Sequence, residues 1–170
     1  MDEWEPTQTN GKEGMQVDQA EFAARIEQLK ARLYRTAYLY LGSEAIALDA
    51  VDEAVYKGLN ALPKLRQPEY FDTWMTRILI NECKQELRRR KRELSMDALP
   101  ETAEEQFDAL SLKEAIRRLP PELKDVILLR FFTGLTQTET AQALSIPQGT
   151  VATRQRRALS LLKLELEVEP

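Results

Sequence analysis

Residues Thr136–Leu162, TQTETAQALSIPQGTVATRQRRALSLL, read as two short helices joined by a tight turn. Thr136 and Glu139 stand in capping-box spacing: the Thr136 hydroxyl can accept the amide of residue 139 while the Glu139 carboxylate reaches back to the amide of residue 136. Gly134 just upstream suits the left-handed stop of a preceding helix. Ala141 and Leu144 form the apolar stripe of the first helix, Ser145-Ile146 make the turn, and Pro147 is placed at the first turn of the second helix, where a missing amide is harmless. In that second helix Val151, Ala158 and Leu162 recur at seven- and four-residue steps and define an inward face. Gln148, Thr153, Arg154, Arg156 and Arg157 occupy the opposite face.

Charge decides what this pair of helices is for. From Ala141 through Leu164 there is no Asp or Glu, although the whole chain carries a net charge of -4. A helix that approaches phosphates and base edges must be free of carboxylates. A plain core helix pair with a solvated basic face is the alternative. The coincidence of a capped helix, a short turn and an acid-free basic helix in that order favours a DNA-reading helix-turn-helix. The acidic balance of the chain means that DNA repels it as a whole at long range, so it needs a partner to bind well.

Composition narrows the remaining classes. The 170 residues suit two small helical domains. With one cysteine, Cys83, and no histidine, an internal disulfide is impossible and the commonest metal ligand and general base is missing. Cys83 falls inside a helical pattern and reads as a small packing residue. No paired catalytic constellation, cofactor motif or metal site is expected, and the chain does not read as an enzyme. No apolar run approaches the ~20 residues that span a bilayer, and Met1 to Gln19 lack the apolar core of a signal peptide. A cytoplasmic protein is expected.

Outward from the helix-turn-helix, the chain divides into a polar tail, 1–17, an N-terminal helical domain, 18–92, a linker, 93–106, and a C-terminal domain, 107–170. The tail is expected to be disordered. Asp18, with Glu21 three residues on, caps a long helix in which Phe22, Ile26, Leu29, Leu33, Ala37 and Leu41 recur at helical spacing until Gly42 stops it. Ser43 caps a second helix that turns Ile46, Ala47, Ala50, Val51, Ala54 and Val55 inward and Asp49, Asp52 and Glu53 outward. Three acids on one turn without loop carbonyls make a solvated face rather than a cation cage. Pro63 and Pro68 make residues 62–72 a loop. Phe71, Trp74, Met75, Ile78, Leu79 and Leu87 define a third helix with Trp74 as a core anchor and Arg77, Asn81 and Lys84 on its polar side. It ends in Arg88-Arg89-Arg90-Lys91-Arg92, more cations than a helix dipole requires, which points to a polyanion. Pro100 and acidic and small residues mark the linker. Phe107, Leu110, Ile116 and Leu119 open the last domain, Pro120-Pro121 interrupt it, and Leu123, Val126, Ile127, Leu129 and Phe131 form a helix beneath the helix-turn-helix.

Leu119-Pro120-Pro121-Glu122-Leu123, Leu128-Leu129-Arg130-Phe131, Gly134-Leu135-Thr136 and Ile146-Pro147-Gln148-Gly149-Thr150-Val151, closing on Arg157-Ala158-Leu159, resemble the C-terminal domain of bacterial sigma factors of the extracytoplasmic-function (ECF) group. Asp72-Thr73-Trp74-Met75-Thr76-Arg77-Ile78, with Asn81 and the arginine run, resembles the sigma segment that holds the melted -10 strand. Departures from the usual pattern stand at Ala152, Gln155, Ser145, Asp52 and Val55.

The resemblance implies an all-α protein of two small domains that binds core RNA polymerase and directs promoter-specific initiation. It implies contact with -35 DNA through Gln148, Thr150, Ala152, Thr153, Arg154, Arg156 and Arg157. Opened -10 DNA would meet Asn60, Leu65, Tyr70, Arg77, Asn81, Lys84, Arg88 and Arg89. Asn60, Leu65 and Tyr70 flank a loop that in the family captures a flipped base; the residues alone fit equally a surface loop with one buried aromatic. Asp49, Asp52, Glu53 and Tyr56 would dock on the polymerase β′ coiled coil, with the β subunit a further contact, and an anti-sigma factor is an expected partner. The rival readings are a stand-alone helix-turn-helix regulator binding a palindrome and a helical adaptor with no DNA role.

Overall fold

Asp18 starts the first helix as expected, its carboxylate accepting the amide of Glu21 at 2.8 Å, and α1 then runs Gln19–Leu41. Gly42, at φ 68°, ends it by donating its amide to the Tyr38 carbonyl. The computed structural model describes residues 16–94 and 110–168. The tail before residue 16 and most of the expected linker, with Pro100 and Phe107, lie outside the described residues. Val17, the last position of the expected tail, is buried against the core.

After Ser43, α2 runs Glu44–Ala61 and α3 runs Phe71–Leu94. The three helices bury one shared core: Phe22, Leu29, Leu33 and Ala37 from α1, Ala47, Val51 and Ala54 from α2, and Phe71, Met75, Leu79 and Cys83 from α3. Each fully buried apolar side chain contributes about 1.5–3 kcal/mol. Gly58 lets α2 approach α3: a Cβ there would lie 2.8 Å from Met75 Sδ. Burial pushes the Cys83 thiol up to about 12, so it packs as an uncharged group.

The loop between α2 and α3 is more regular than its prolines suggest. Pro63 and Pro68 sit in the first turns of two short 3-10 segments, Leu62–Lys64 and Pro68–Tyr70, where their missing amides cost nothing. Arg25 ties the loop to α1: it pairs with Glu21, donates to the Pro68 carbonyl at 2.6 Å and lies over the Phe71 ring.

In the C-terminal half α4 spans Leu110–Arg118 and α5 spans Pro121–Ile127, with Pro121 at its first turn. The chain then widens into a π-helical turn, Leu128–Phe132, in which the Thr133 amide reaches the Leu128 carbonyl five residues back. This turn changes one expectation: Phe131, read as part of the buried stripe, is 51% exposed, while Leu128 and Leu129 are buried. The helix-turn-helix follows as α6, Gln137–Leu144, and α7, Gln148–Val168, with Val126, Ala141 and Val151 as a small core between α5, α6 and α7. Among the described residues there is no strand.

The two halves are not held apart. The buried cluster is continuous from α1 to the C-terminal helices, α6 packs on α3, and the π-helical turn packs on α1.

Ser145 ends α6 in the left-handed region at φ 56°, where a side chain is strained. Ser145→Gly is expected to raise stability by roughly 1 kcal/mol, read as a shift in the urea midpoint with an unchanged slope.

Candidate nucleic-acid interface

The C-terminal surface is built by local chemistry at each end of α6. Thr136 Oγ1 accepts the Glu139 amide at 3.1 Å and Glu139 Oε2 accepts the Thr136 amide at 2.7 Å, so the expected capping box is complete. The left-handed Ser145 then turns the chain, and the Pro147 carbonyl accepts the amides of Thr150 and Val151. Pro147 thus sits one position earlier than expected, immediately before α7 rather than in its first turn. Val151, Ala158 and Leu162 are buried, and Gln148, Thr153, Arg156 and Arg157 are exposed, with Thr150, Ala152 and Arg154 half-buried beside them. The Thr153 hydroxyl donates back to the Gly149 carbonyl at 3.0 Å, which leaves its oxygen as an outward acceptor. A Cβ on Gly149 would meet nothing within the chain, so internal packing does not require a glycine there.

Sequence reasoning missed the residue that holds α7 in place. Arg130 donates through Nε to Gln155 Oε1 at 3.0 Å and through Nη1 to the Leu135 carbonyl at 2.6 Å. Gln155, a departure from the aliphatic residue common in the resembled pattern, is therefore the acceptor that joins the recognition helix to the turn preceding α6. No local signal marks this pair, twenty-five residues apart.

The second basic surface lies on α3. Arg77, Asn81, Lys84 and Arg88 follow one another at four-, three- and four-residue steps and share a face. Asn81 and Arg88 are exposed, and Arg77 and Lys84 half-buried. The arginine run divides by role. Arg89 pairs with Glu86 at 2.8 Å and reaches Glu93 at 3.9 Å, whereas Arg90 donates to the Leu41 carbonyl at 2.9 Å and so caps α1. Asn60 is exposed and Tyr70 half-buried at the loop. Leu65 does not face outward: it is 7% exposed and belongs to the core, because the first 3-10 turn rotates it inward. Lys84 is engaged as well, its ammonium 2.8 Å from the Asp125 carboxylate of α5.

An acidic face lies on α2. Asp49, Asp52, Glu53 and Tyr56 are exposed, with Leu48 beside them, and an open groove of about 490 Å³ runs between this helix and α3. Asp49 and Glu53 line one wall and Arg88, Arg89 and Arg92 the other. Among the described residues, no group of three or more metal-ligating side chains is gathered.

An all-helical chain with a helix-turn-helix at one end and a basic helix face at the other is a two-module nucleic-acid-binding protein. Comparison with known proteins defines it further. The Sigma-70 region 2 family matches residues 25–93 and the Sigma-70 region 4 family matches residues 115–164. The chain is 33% identical over 159 residues to RNA polymerase sigma factor SigV of Bacillus subtilis, covering 91% of this chain and 96% of that one. It is 27% identical over 169 residues to the ECF RNA polymerase sigma factor SigW of the same organism, covering 88% and 90%. The chain belongs to the sigma-70 family, in its ECF group. The same fold occurs in the sigma factor RpoE from Bartonella quintana, solved with the anti-sigma factor NepR, at 21% identity, with a TM-score of 0.73 over 88% of this chain and 99% of that one. It occurs also in CnrH, solved with the cytosolic domain of CnrY, at 21% identity, with a TM-score of 0.71 over 90% and 92%.

Arg130 positions the recognition helix without lying on its outward face. Arg130→Met is expected to weaken binding of duplex promoter DNA about three- to tenfold while leaving the salt slope of binding unchanged, because no phosphate contact is lost.

Proposed function

We propose that α7 reads -35 DNA in the major groove, with Gln148, Thr150, Ala152 and Thr153 toward the bases and Arg154, Arg156 and Arg157 toward phosphates. The observation that carries this reading is the absence of any Asp or Glu from Gln148 through Leu164 of α7, set on a capped helix-turn-helix in a chain of net charge -4. As a sigma factor the chain binds core RNA polymerase and directs promoter-specific initiation. The α3 face of Arg77, Asn81, Lys84 and Arg88, with Arg89, Asn60 and Tyr70 nearby, is proposed to hold the melted -10 strand by phosphate pairing and base stacking. Leu65 supports that site from the core. The exposed acids of α2 with Tyr56 are proposed to dock on the β′ coiled coil, the β subunit taking a further contact. Phosphodiester formation belongs to the polymerase, so the chain itself is not an enzyme.

An anti-sigma factor is a further proposed partner, supported by the company that RpoE and CnrH keep. A cytoplasmic location fits a partner of core polymerase, and no helix among the described residues is long and apolar enough to cross a membrane. A stand-alone regulator would not need two sigma regions on one chain.

Purified chain added to bacterial core RNA polymerase is expected to co-elute with it and to produce transcripts with defined 5′ ends on genomic DNA. Failure to associate, with DNA binding retained, would return the chain to the stand-alone class. Within that assay, Arg154→Ala and Arg157→Ala should each weaken promoter binding and lower the salt slope by about one unit per lost phosphate contact. Tyr70→Ala or Asn81→Ala should impair strand opening more than closed-complex formation; equal losses at both steps would give these two residues a structural role instead.

A further inference from the structure

Arg25 stands one turn after Glu21 on α1, a spacing that by itself means only a surface ion pair of small worth. Its guanidinium does more than pair. Nε and Nη2 donate to Glu21 Oε1 at 3.0 and 2.6 Å, Nη1 donates to the Pro68 carbonyl at 2.6 Å, and the central carbon lies 5.3 Å from the centroid of the Phe71 ring. Glu21 is itself fixed at the start of α1, where Asp18 accepts its amide at 2.8 Å. Arg32, two turns further along, comes within 3.8 Å of the Asp72 carboxylate but also donates to the Thr133 carbonyl of the other half. Glu21, Pro68 and Phe71, by contrast, all belong to the N-terminal half.

The stretch that Arg25 reaches is an arch over residues 66–70. Leu65 at one end and Phe71 at the other are built into the core, and the Phe71 ring meets those of Phe22 and Trp74 with centroids 5.6 and 5.7 Å away. Between these anchors Arg66 and Glu69 are exposed, and Gln67, Pro68 and Tyr70 half-buried. The arch contains one 3-10 turn, in which the amides of Tyr70 and Phe71 reach the carbonyls of Gln67 and Pro68. A turn this short has poor hydrogen-bond geometry and holds itself weakly. The Pro68 carbonyl takes two donors, the Phe71 amide and Arg25, one for each lone pair. The first closes the turn, and the second sets its tilt against α1. Tyr70 is two residues on, in the same turn, so the direction of its ring follows that tilt.

We propose that Arg25 is a positioning residue for the -10 strand: through the Pro68 carbonyl it presets the turn that carries Tyr70, so that the ring is in place before an unstacked base arrives. This rests on the reading of Tyr70 given above. Arg25 touches neither base nor phosphate in this role. Its contribution is preorganisation, since a turn ordered in advance spares the strand the cost of ordering it. The planar fork matters as well as the charge, because one side chain has to serve Glu21 and Pro68 together, whereas an ammonium is a point donor on a flexible stem.

Two full-length variants test this: Arg25→Lys keeps the charge, and Arg25→Met keeps only an apolar stem. In the free chain, hydrogen exchange at the Tyr70 and Phe71 amides is expected to quicken on the order of tenfold in both, with amides inside α3 unchanged. In holoenzyme with core polymerase, both should slow strand opening roughly five- to tenfold, followed by the fluorescence of a 2-aminopurine in the mapped -10 element. Closed-complex formation and its salt slope should stay at the wild-type values. Added to Tyr70→Ala, either substitution should cost nothing more, because the two residues act through one ring. Unchanged exchange at the two amides overturns the positioning role, as do losses that add to that of Tyr70→Ala or an equal loss in closed-complex formation. A salt slope lowered by about one unit in Arg25→Met makes Arg25 a direct phosphate ligand instead and overturns it too. Normal opening by Tyr70→Ala alone overturns the base reading, and this role with it, whereas a defective Tyr70→Ala beside unaffected Arg25 variants overturns this role only.

Discussion

A helix of twenty-three residues with apolar side chains at three- and four-residue steps cannot stay alone in water, and α1 has to be covered along its length. Its buried positions run from Phe22 to Leu41, and different partners cover different turns. The Phe22 ring meets Phe71 of α3 edge to face with centroids 5.6 Å apart. Leu29, Leu33 and Ala37 join the residues of α2 and α3 in the common core. Toward its C-terminal end Thr36 and Tyr40 leave the apolar pattern and bond to Thr133 and Asp125 of the other domain. One helix therefore supports α3 along one part and the seat of the helix-turn-helix along another. Arg90 of α3 closes its last turn at the Leu41 carbonyl, which fixes the far end of α3 to the same support.

Charge is distributed on this framework by function rather than by average. The chain has 28 acidic and 24 basic residues, but none of the acids falls between Ala141 and Leu164, while Asp49, Asp52 and Glu53 lie exposed together on α2. Three arginines are tied into the protein: Arg25 to Glu21 and the Pro68 carbonyl, Arg90 to Leu41, Arg130 to Gln155 and Leu135. A guanidinium suits these positions because it is always charged and its planar fork can serve two acceptors at once. The Arg88–Arg92 run looks uniform in sequence but is divided in space, since a helix sends adjacent residues to different faces.

Much of this was legible in the sequence where the signals are local. The capping box at Thr136, the cap at Asp18, the glycine stops at 42 and 134, and the inward stripe of α7 all depend on neighbours within a turn or two, and the structure has them at those positions. Three features lay beyond that reach. Leu65 turns inward because the 3-10 segment Leu62–Lys64, with Pro63 in its first turn, rotates the chain differently from an irregular loop. Phe131 turns outward because one π-helical turn breaks the 3.6-residue period on which its assignment relied. Arg130, paired with Gln155, is a polar residue acting across twenty-five positions, where no periodicity points. The relation between the domains was illegible for the same reason: Tyr40, Lys84 and Asp125 are unremarkable within their own helices and acquire meaning only together.

The contact between the two halves joins two kinds of interaction. One apolar cluster runs from α1 into the C-terminal helices, and Asp125, Tyr40, Lys84, Thr36 and Thr133 add hydrogen bonds and an ion pair to it. A carboxylate, a phenol, an ammonium and two hydroxyls can each return to water with modest loss, because water replaces the hydrogen bonds that are broken. Helix α7 is fixed to its own domain by the buried contacts of Val126, Ala141 and Val151 and by the hydrogen bond of Arg130 to Gln155.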